Sequence, residues 1–151
     1  MKILVTGSNG FLGTTLCRHL EAAGYSVTKS NSSLCDLRNP SSLKIYNQIK
    51  FDRIYHLAAW TQAGDFCLYH PGEQWIFNQK INSNLISWWS NNQTQAKLIS
   101  IGTSCSYDSQ FPLKEENYLK GTPIDSLYTY AMCKRMLQIG KLSISKQFGL
   151  K

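Results

Sequence analysis

The segment GSNGFLG, residues 7–13, most restricts what this chain can fold into. Gly7, Gly10 and Gly13 follow a short apolar run, 2–6, and open a run with helical periodicity, 11–23. In such a strand–turn–helix unit the first glycine permits a tight turn, the second lets a pyrophosphate approach the backbone, and the third lets the helix pack closely. The helix N-terminus also offers free N–H groups and partial positive charge to phosphates. The segment therefore predicts a dinucleotide site rather than a turn that merely favours glycine.

The rest of the chain alternates predicted strands with predicted helices. Strands are predicted at 2–6, 26–29, 53–59 and 97–101, and helices at 11–23, 39–50, 75–91 and 127–148. Leu12, Leu16 and Leu20 are the expected buried face of the first helix, and Asn39 is the expected N-cap of the second. Alternation of this kind indicates an α/β fold, a Rossmann-like doubly wound parallel sheet truncated after about four strands. Ligands of such sheets lie beyond the C-terminal ends of the strands.

The end of the second predicted strand bears on which dinucleotide fits. An acidic residue there would hold the ribose hydroxyls of NAD, but the sequence reads VTKSNSS and reaches no acid before Asp36. Lys29, Ser30 and Asn31 could instead accept a 2′-phosphate, which favours NADP over NAD. Lys29 could also be simply exposed. Asp36 and Leu37 follow where they could border the adenine ring.

Charge and composition exclude several classes of function. The net charge of +7 is spread along the chain without a nucleic-acid recognition motif, which favours a small polyanion such as a nucleotide over nucleic acid. No apolar run approaches the roughly 20 residues of a membrane helix, and the N-terminus does not read as a signal peptide, so a cytoplasmic location is expected. The five cysteines and three histidines show no metal-ligand spacing, so reduced thiols and no metal site are expected.

Four motifs in order give the chain a family resemblance. The glycine loop is followed by HLAA at 56–59, SIGTSCSY at 100–107 and the pair Tyr130 and Lys134 in TYAMCK. Together they resemble the extended short-chain dehydrogenase/reductases, which are nucleotide-sugar epimerases, dehydratases and reductases. Within this family, GTSCSY, NQKINSN at 78–84 and the stretch 113–134 are most similar to segments of the GDP-L-fucose synthases. The resemblance covers the whole chain and implies one NAD(P)-binding domain over residues 1–151.

The resemblance also implies which residues form the site. Thr103 matches the family's catalytic Ser or Thr, Tyr130 and Lys134 match its tyrosine–lysine pair, and Cys105 matches the acid/base cysteine of fucose synthases. Residues four apart share a helix face, and an ammonium beside a phenol is expected to lower the pKa of the phenol. Besides the three glycines and the residues near Lys29 and Asp36, the expected cofactor contacts are Asn9, Phe11, Leu12, Leu57, Ala58, Ala59, Tyr130 and Lys134.

The predicted function is an NADP-dependent epimerase/reductase of a 4-keto-6-deoxy sugar nucleotide, present as an incomplete cofactor-binding portion. An NAD-dependent 4-epimerase or dehydratase and a non-catalytic dinucleotide-binding module are the alternatives. The family's C-terminal half, which holds most of the sugar-nucleotide pocket and a second acid/base histidine, has no counterpart in this sequence.

Two local features qualify this prediction. The fourth strand is left at a sheet edge, which invites pairing with another chain, and a homodimer or higher oligomer is expected. In the segment 58–75, Trp60, Thr61 and Asp65 either face the sugar or belong to a loop that packs on its own aromatic residues.

Overall fold

A parallel sheet forms the centre of the molecule. The computed structural model describes residues 1–62 and 65–151. Its four strands are β1 (Lys2–Thr6), β2 (Ser26–Ser30), β3 (Arg53–His56) and β4 (Lys97–Ser100), in the order β2–β1–β3–β4 and all paired in parallel. The predicted α/β sheet is confirmed. Strand β3 ends earlier than predicted because the N–H groups of Leu57 and Ala58 donate to Thr6 Oγ1 instead of extending the ladder.

Helices cover both faces of the sheet. They are α1 (Phe11–Ala22), α2 (Phe66–Tyr69), α3 (Pro71–Asn92) and α4 (Tyr128–Phe148). The predicted helices at 11–23, 75–91 and 127–148 are confirmed, although α3 begins already at Pro71, a residue that suits the first turn of a helix. Between β4 and α4 the chain forms three short 3₁₀ turns, Ser104–Ser106, Glu115–Asn117 and Asp125–Leu127.

The buried face of α1 differs from the predicted one. Gly13 and Cys17 are buried, Leu16 and Leu20 are half-buried, and Leu12 is 47% exposed. The helix lies so close to the glycine loop at Gly13 that the row through Gly13 and Cys17 faces inward. Leu12 is thereby turned toward the C-terminal edge of the sheet.

The predicted helix at 39–50 is right in place and wrong in type. Residues Pro40–Tyr46 form a 3₁₀ helix, and Asn39 caps it by accepting the N–H of Ser41 at 3.0 Å, as predicted. Ser42 Oγ lies 2.7 Å from the carbonyl oxygen of Asp36 and 2.8 Å from that of Asn39. Such local side-chain bonds to backbone compete with α-helical pairing.

The core is unequal on the two faces. Leu4, Ile54 and Leu98 of the sheet pack with α3 and α4 in the larger cluster, where Trp89 is fully buried. Ile3 and Val5 pack with α1 in the smaller one. At the outer edge of β4, the N–H of Leu98 donates to the carbonyl oxygen of Lys151 at 2.9 Å, so residue 151 lies beside this edge of the sheet.

Two general features accompany this fold. All five cysteines are free thiols. Of the helices that can be described, none combines the length and apolar character that a membrane crossing requires.

Candidate active site

A continuous cleft crosses the C-terminal edge of the sheet. It consists of two adjoining cavities of about 450 and 490 Å³, which share Gly7, Gly10, Leu57 and Ala59. The first cavity extends to Ser30 at the end of β2, and the second extends to Tyr130 and Lys134 on α4. The glycine loop therefore lies in the middle of an elongated groove, where parallel sheets bind their ligands.

The glycine loop is fixed by close backbone approaches. Gly7 has φ 67°, and a Cβ there would lie 2.8 Å from the backbone nitrogen of Ala58. A Cβ on Gly13 would collide with the carbonyl oxygen of Gly7, so this glycine packs against the loop itself as well as the sheet. Gly10 is exposed to the cleft, and its N–H donates to the Gly7 carbonyl at 3.0 Å. The Cβ of an alanine would collide with backbone atoms at positions 7 and 13, and at position 10 it would crowd the carbonyl oxygen of Gly7.

The N-terminus of α1 opens into the same cleft. Gly10 is its N-cap without a side-chain cap bond, and its first turn contains no acidic residue. The first N–H groups of a helix lack partners within the helix and carry partial positive charge. Phe11 and Leu12 line the second cavity, and Asn9 lines the first. This end of the helix suits an anionic group such as a pyrophosphate.

The end of β2 differs from the prediction at one residue. Ser30 and Asn31 line the first cavity together with Asp36 and Leu37, as predicted. Lys29 points to the other face of the strand, where its Nζ lies 2.9 Å from Glu21 Oε1 on α1, and it does not line the cavity. Successive side chains of a strand alternate between faces, which explains why Ser30 and Lys29 separate.

Arg38 lines this cavity and was not predicted. Its Nε and Nη2 donate to the Asp36 carboxylate at 2.9 and 2.7 Å, and these hydrogen bonds lower the pKa of Asp36. The guanidinium carbon lies 5.2 Å from the centroid of the Phe77 ring. In the sequence, Arg38 is a cation two residues after Asp36, which makes it a candidate for binding a 2′-phosphate in the same way as Lys29.

A buried polar chain supports the floor of the cleft. Thr6 Oγ1 accepts the N–H groups of Leu57 and Ala58, so its own hydrogen is donated to His56 Nδ1 at 2.9 Å. His56 Nε2 then donates to Asn82 Oδ1 at 3.0 Å. Burial lowers the pKa of His56 to about 4, so the imidazole is neutral at pH 7. Through Thr6, His56 thus helps to hold the HLAA backbone in place, which is a structural role.

Asn78 on α3 fixes the next residue of that wall. Its side chain accepts the N–H of Trp60 at 2.9 Å and donates to the carbonyl oxygens of Trp60 and Gln74 at 3.0 and 2.8 Å. The Trp60 ring packs against Phe66 and Phe77, with centroid separations of 4.6 and 5.1 Å. The segment therefore packs on its own aromatic residues, one of the two predicted outcomes.

The same segment also contributes to the cleft. Trp60 lines the first cavity and Thr61 the second. Asp65 precedes α2 without a side-chain cap bond, and residues 63 and 64 lie outside the described residues.

Tyr130 and Lys134 meet at the far end of the cleft. Lys134 Nζ lies 5.8 Å from the centroid of the Tyr130 ring, and both residues line the second cavity. Lys134 is only 7% exposed, and burial lowers its pKa. Within residues 1–62 and 65–151, no carboxylate lies at ion-pair distance from its Nζ. A buried ammonium without a counter-charge is costly, which marks this position as one where polar groups of a ligand would bind.

The expected lowering of the Tyr130 pKa is wrong. Burial raises the pKa of Tyr130 to about 12, and the nearby thiols of Cys67, Cys105 and Cys133 add to the rise. The Lys134 ammonium lies over the ring, with its Nζ 5.8 Å from the ring centroid, and its charge does not reverse the rise that burial causes. Tyr130 is therefore a neutral phenol at pH 7, with a proton available to donate.

Thr103 and Cys105 occupy one tight turn beside this pair. Thr103 Oγ1 caps the 3₁₀ turn Ser104–Ser106 by accepting the N–H of Cys105 at 3.3 Å. Cys105 is half-buried and close enough to raise the pKa of Tyr130. Thr103 lines a neighbouring cavity of about 540 Å³, which meets the Tyr130 end of the cleft at Gly102. Of the four predicted catalytic residues, Tyr130 and Lys134 line the cleft, Thr103 lines the neighbouring cavity, and Cys105 lines neither of them.

The described residues form no candidate metal site. Over 1–62 and 65–151, no three His, Cys, Asp or Glu side chains are grouped so that they could hold a metal ion.

The chain is similar both to a family of proteins and to individual relatives. The model of the family described as "NAD dependent epimerase/dehydratase family" matches residues 3–151. GDP-L-colitose synthase of Yersinia pseudotuberculosis is 27% identical over 89% of this chain and 44% of its own length. GDP-L-fucose synthase of Dictyostelium discoideum is 26% identical over 99% of this chain and 48% of its own length. The chain therefore spans less than half the length of these curated relatives.

Solved structures agree with the fold. The GDP-L-fucose synthetase of Naegleria fowleri bound to NADP superimposes with a TM-score of 0.85 and 24% identity. The match covers 99% of this chain and 50% of that one. The likeness extends over the sheet, the glycine loop and the helices that form the cleft.

Proposed function

The chain belongs to the NAD dependent epimerase/dehydratase family, and from this we propose that it is the cofactor-binding portion of an NADP-dependent nucleotide-sugar epimerase/reductase. The proposed substrate is a GDP-linked 4-keto-6-deoxy sugar, in line with the names of the fucose and colitose synthases to which the chain is similar. One observation carries the proposal. A single cleft leads from the end of β2, over the glycine loop, to Tyr130 and Lys134.

The residues along the cleft fit a nicotinamide dinucleotide. The N-terminus of α1 and the exposed Gly10 suit its pyrophosphate, and Asp36 with Leu37 borders the space available for adenine. Ser30, Asn31 and Arg38 are the donors at that end for a 2′-phosphate, which supports NADP. When bound, the cofactor supplies hydride for reduction of a keto group.

The chain's own residues supply the proton chemistry at the other end. The phenol of Tyr130, neutral at pH 7, donates a proton to the keto oxygen as that carbon is reduced. Lys134 lies at the ring of the resulting phenolate, which its positive charge stabilises, and its N–H groups face the cleft. Thr103 hydrogen-bonds and orients the sugar oxygen, and Cys105 moves a proton at the carbon that is epimerised.

Replacement of Tyr130 by Phe tests this assignment. With a GDP-linked 4-keto-6-deoxy sugar and NADPH, oxidation of NADPH by the Tyr130→Phe variant should fall by about 10²–10⁴-fold, the usual contribution of a general acid. The affinity for NADPH should remain close to that of the parent protein, because Phe keeps the ring. Measurable turnover that is equal in the two proteins would exclude Tyr130 as the proton donor.

We also propose that the protein is a homodimer or higher oligomer and that it is located in the cytoplasm. The outer edge of β4, which bonds to Lys151 at Leu98, is consistent with further pairing. The oligomeric state of the protein can be measured by sedimentation.

A further inference from the structure

Arg135 is a buried cation whose hydrogen bonds, among the residues that the structure describes, all go to backbone carbonyl groups. It is 5% exposed, and its Nε and Nη2 donate to the carbonyl oxygen of Ser106 at 2.9 and 2.5 Å. Its Nη1 donates to the carbonyl of Gly121 at 2.8 Å, and Nη2 also donates to that of Lys120 at 2.7 Å. Across the described part of the chain, no carboxylate forms an ion pair with it. Burying a guanidinium is costly, so these carbonyls are held at the expense of its solvation.

Ser106 is joined to α4 a second time through its side chain. Ser106 is fully buried, and its Oγ lies 3.2 Å from the carbonyl oxygen of Ala131 and 3.2 Å from the hydroxyl of Tyr118. The N–H of Ser106 donates to the carbonyl of Thr103 at 3.1 Å, which closes the turn that contains Cys105. The backbone and the hydroxyl of one residue therefore attach this turn to the helix.

The attachment points lie next to the proposed catalytic pair. Ala131 follows Tyr130 directly, and Arg135 follows Lys134 directly. Tyr130 and Lys134 are four residues apart, and so are Ala131 and Arg135. Each of these two pairs therefore lies on one face of α4. The face with Tyr130 and Lys134 lines the cleft, and the adjacent face binds Ser106.

We infer that Arg135 is a positioning residue, which holds the turn of Thr103 and Cys105 in register with Tyr130 and Lys134. The inference rests on the proposed function, because it is the proposed function that makes these four residues one catalytic set. An arginine suits the task because its planar fork reaches several carbonyl groups at fixed angles, whereas the lysine ammonium is a point charge.

The reactivity of Cys105 toward iodoacetamide tests the inference without cofactor or substrate. Cys105 is half-buried, while Cys17, Cys35, Cys67 and Cys133 are buried, so alkylation of the folded protein should occur first at Cys105. The Arg135→Met variant should alkylate Cys105 roughly threefold faster or more, since loss of buried hydrogen bonds favours local opening of the turn. A Cys105→Ser variant identifies the labelled site.

Leu137→Ala serves as the matched control. Leu137 is a buried core residue of α4, and its truncation destabilises the fold without touching the turn. A general loss of stability would accelerate alkylation in both variants, whereas a positioning role accelerates it in Arg135→Met alone. Equal rates at Cys105 in the parent protein and Arg135→Met, or equal acceleration in both variants, would overturn the inference.

Arg135→Lys keeps the experiment decisive should the Met variant not fold. It retains the charge but not the fork, so it should also speed alkylation of Cys105 and hydrogen exchange of the Ser106 and Tyr107 amides. Parent-like rates in Arg135→Lys would overturn the inference. Failure of the proposed function would appear separately, as absent NADPH binding by the parent protein, and would leave the alkylation result unchanged.

Discussion

At the scale of single residues, the two cations near β2 have different surroundings. Lys29 is paired with Glu21 outside the cleft, whereas Arg38 lines it beside Asn31. The sequence could not separate them, because the direction of a strand side chain depends on where the strand sits in the sheet. An exposed ion pair of the Lys29 type also contributes little on its own.

Cofactor preference distinguishes the two residues. The ratio of NADH to NADPH dissociation constants should fall by roughly tenfold in Arg38→Met, because a hydrogen bond to a charged group is lost only with NADPH. Lys29→Met is the matched control and should keep the parent ratio. The reverse pattern, measured by fluorescence titration, would return the phosphate-binding role to Lys29.

His56 gives the protein a specific dependence on pH. Its pKa is about 4 in the folded chain, against an ordinary value of 6.5, so the unfolded chain binds the proton more readily. This contribution to the free energy of unfolding is complete above pH 6.5 and is lost as the pH falls toward 4, by about 3 kcal/mol in total.

Chemical denaturation across that range of pH tests the assignment. The His56→Gln variant should lose this part of the slope, and His19→Gln, at an exposed position, should retain it. A parent-like slope in His56→Gln would assign the pH dependence to other groups.

At the scale of elements, periodicity and glycine placement predicted the strands and the long helices. They could not predict the 3₁₀ form of Pro40–Tyr46, which depends on the bonds of the Ser42 hydroxyl. Nor could they predict which row of α1 is buried, because that follows from the close approach at Gly13.

The candidate site divides in the same way. The glycine loop and the Tyr130–Lys134 pair are contiguous patterns that a sequence displays. The polar supports Asn78 and Arg135 act on partners elsewhere in the chain, at Trp60 and Ser106, and no local pattern marks them.

Asn78 tests how far α3 supports the cleft. Asn78→Leu leaves the buried N–H and carbonyl of Trp60 without partners, and the free energy of unfolding should fall by about 1–3 kcal/mol. Asn91→Leu changes an exposed amide on the same helix and should stay within about 0.5 kcal/mol of the parent. Equal effects of the two substitutions in urea denaturation would show that the Trp60 bonds do not stabilise the fold.

At the scale of the whole molecule, the sheet, the glycine loop and α4 form one groove. The chain spans less than half the length of its curated relatives. Within the described residues, the ends of β1 and β2, the N-terminus of α1 and the start of α4 line this groove. We propose that this groove binds a dinucleotide, and that the sugar-nucleotide chemistry also depends on the further length that the relatives have.

Titration of the purified chain with NADPH and NADH, followed by nicotinamide fluorescence, tests this claim most directly. A cooperative thermal transition first establishes that the chain is folded. Saturable binding, tighter for NADPH than for NADH, is the predicted result. A folded chain that binds neither dinucleotide would contradict the assignment of the cleft.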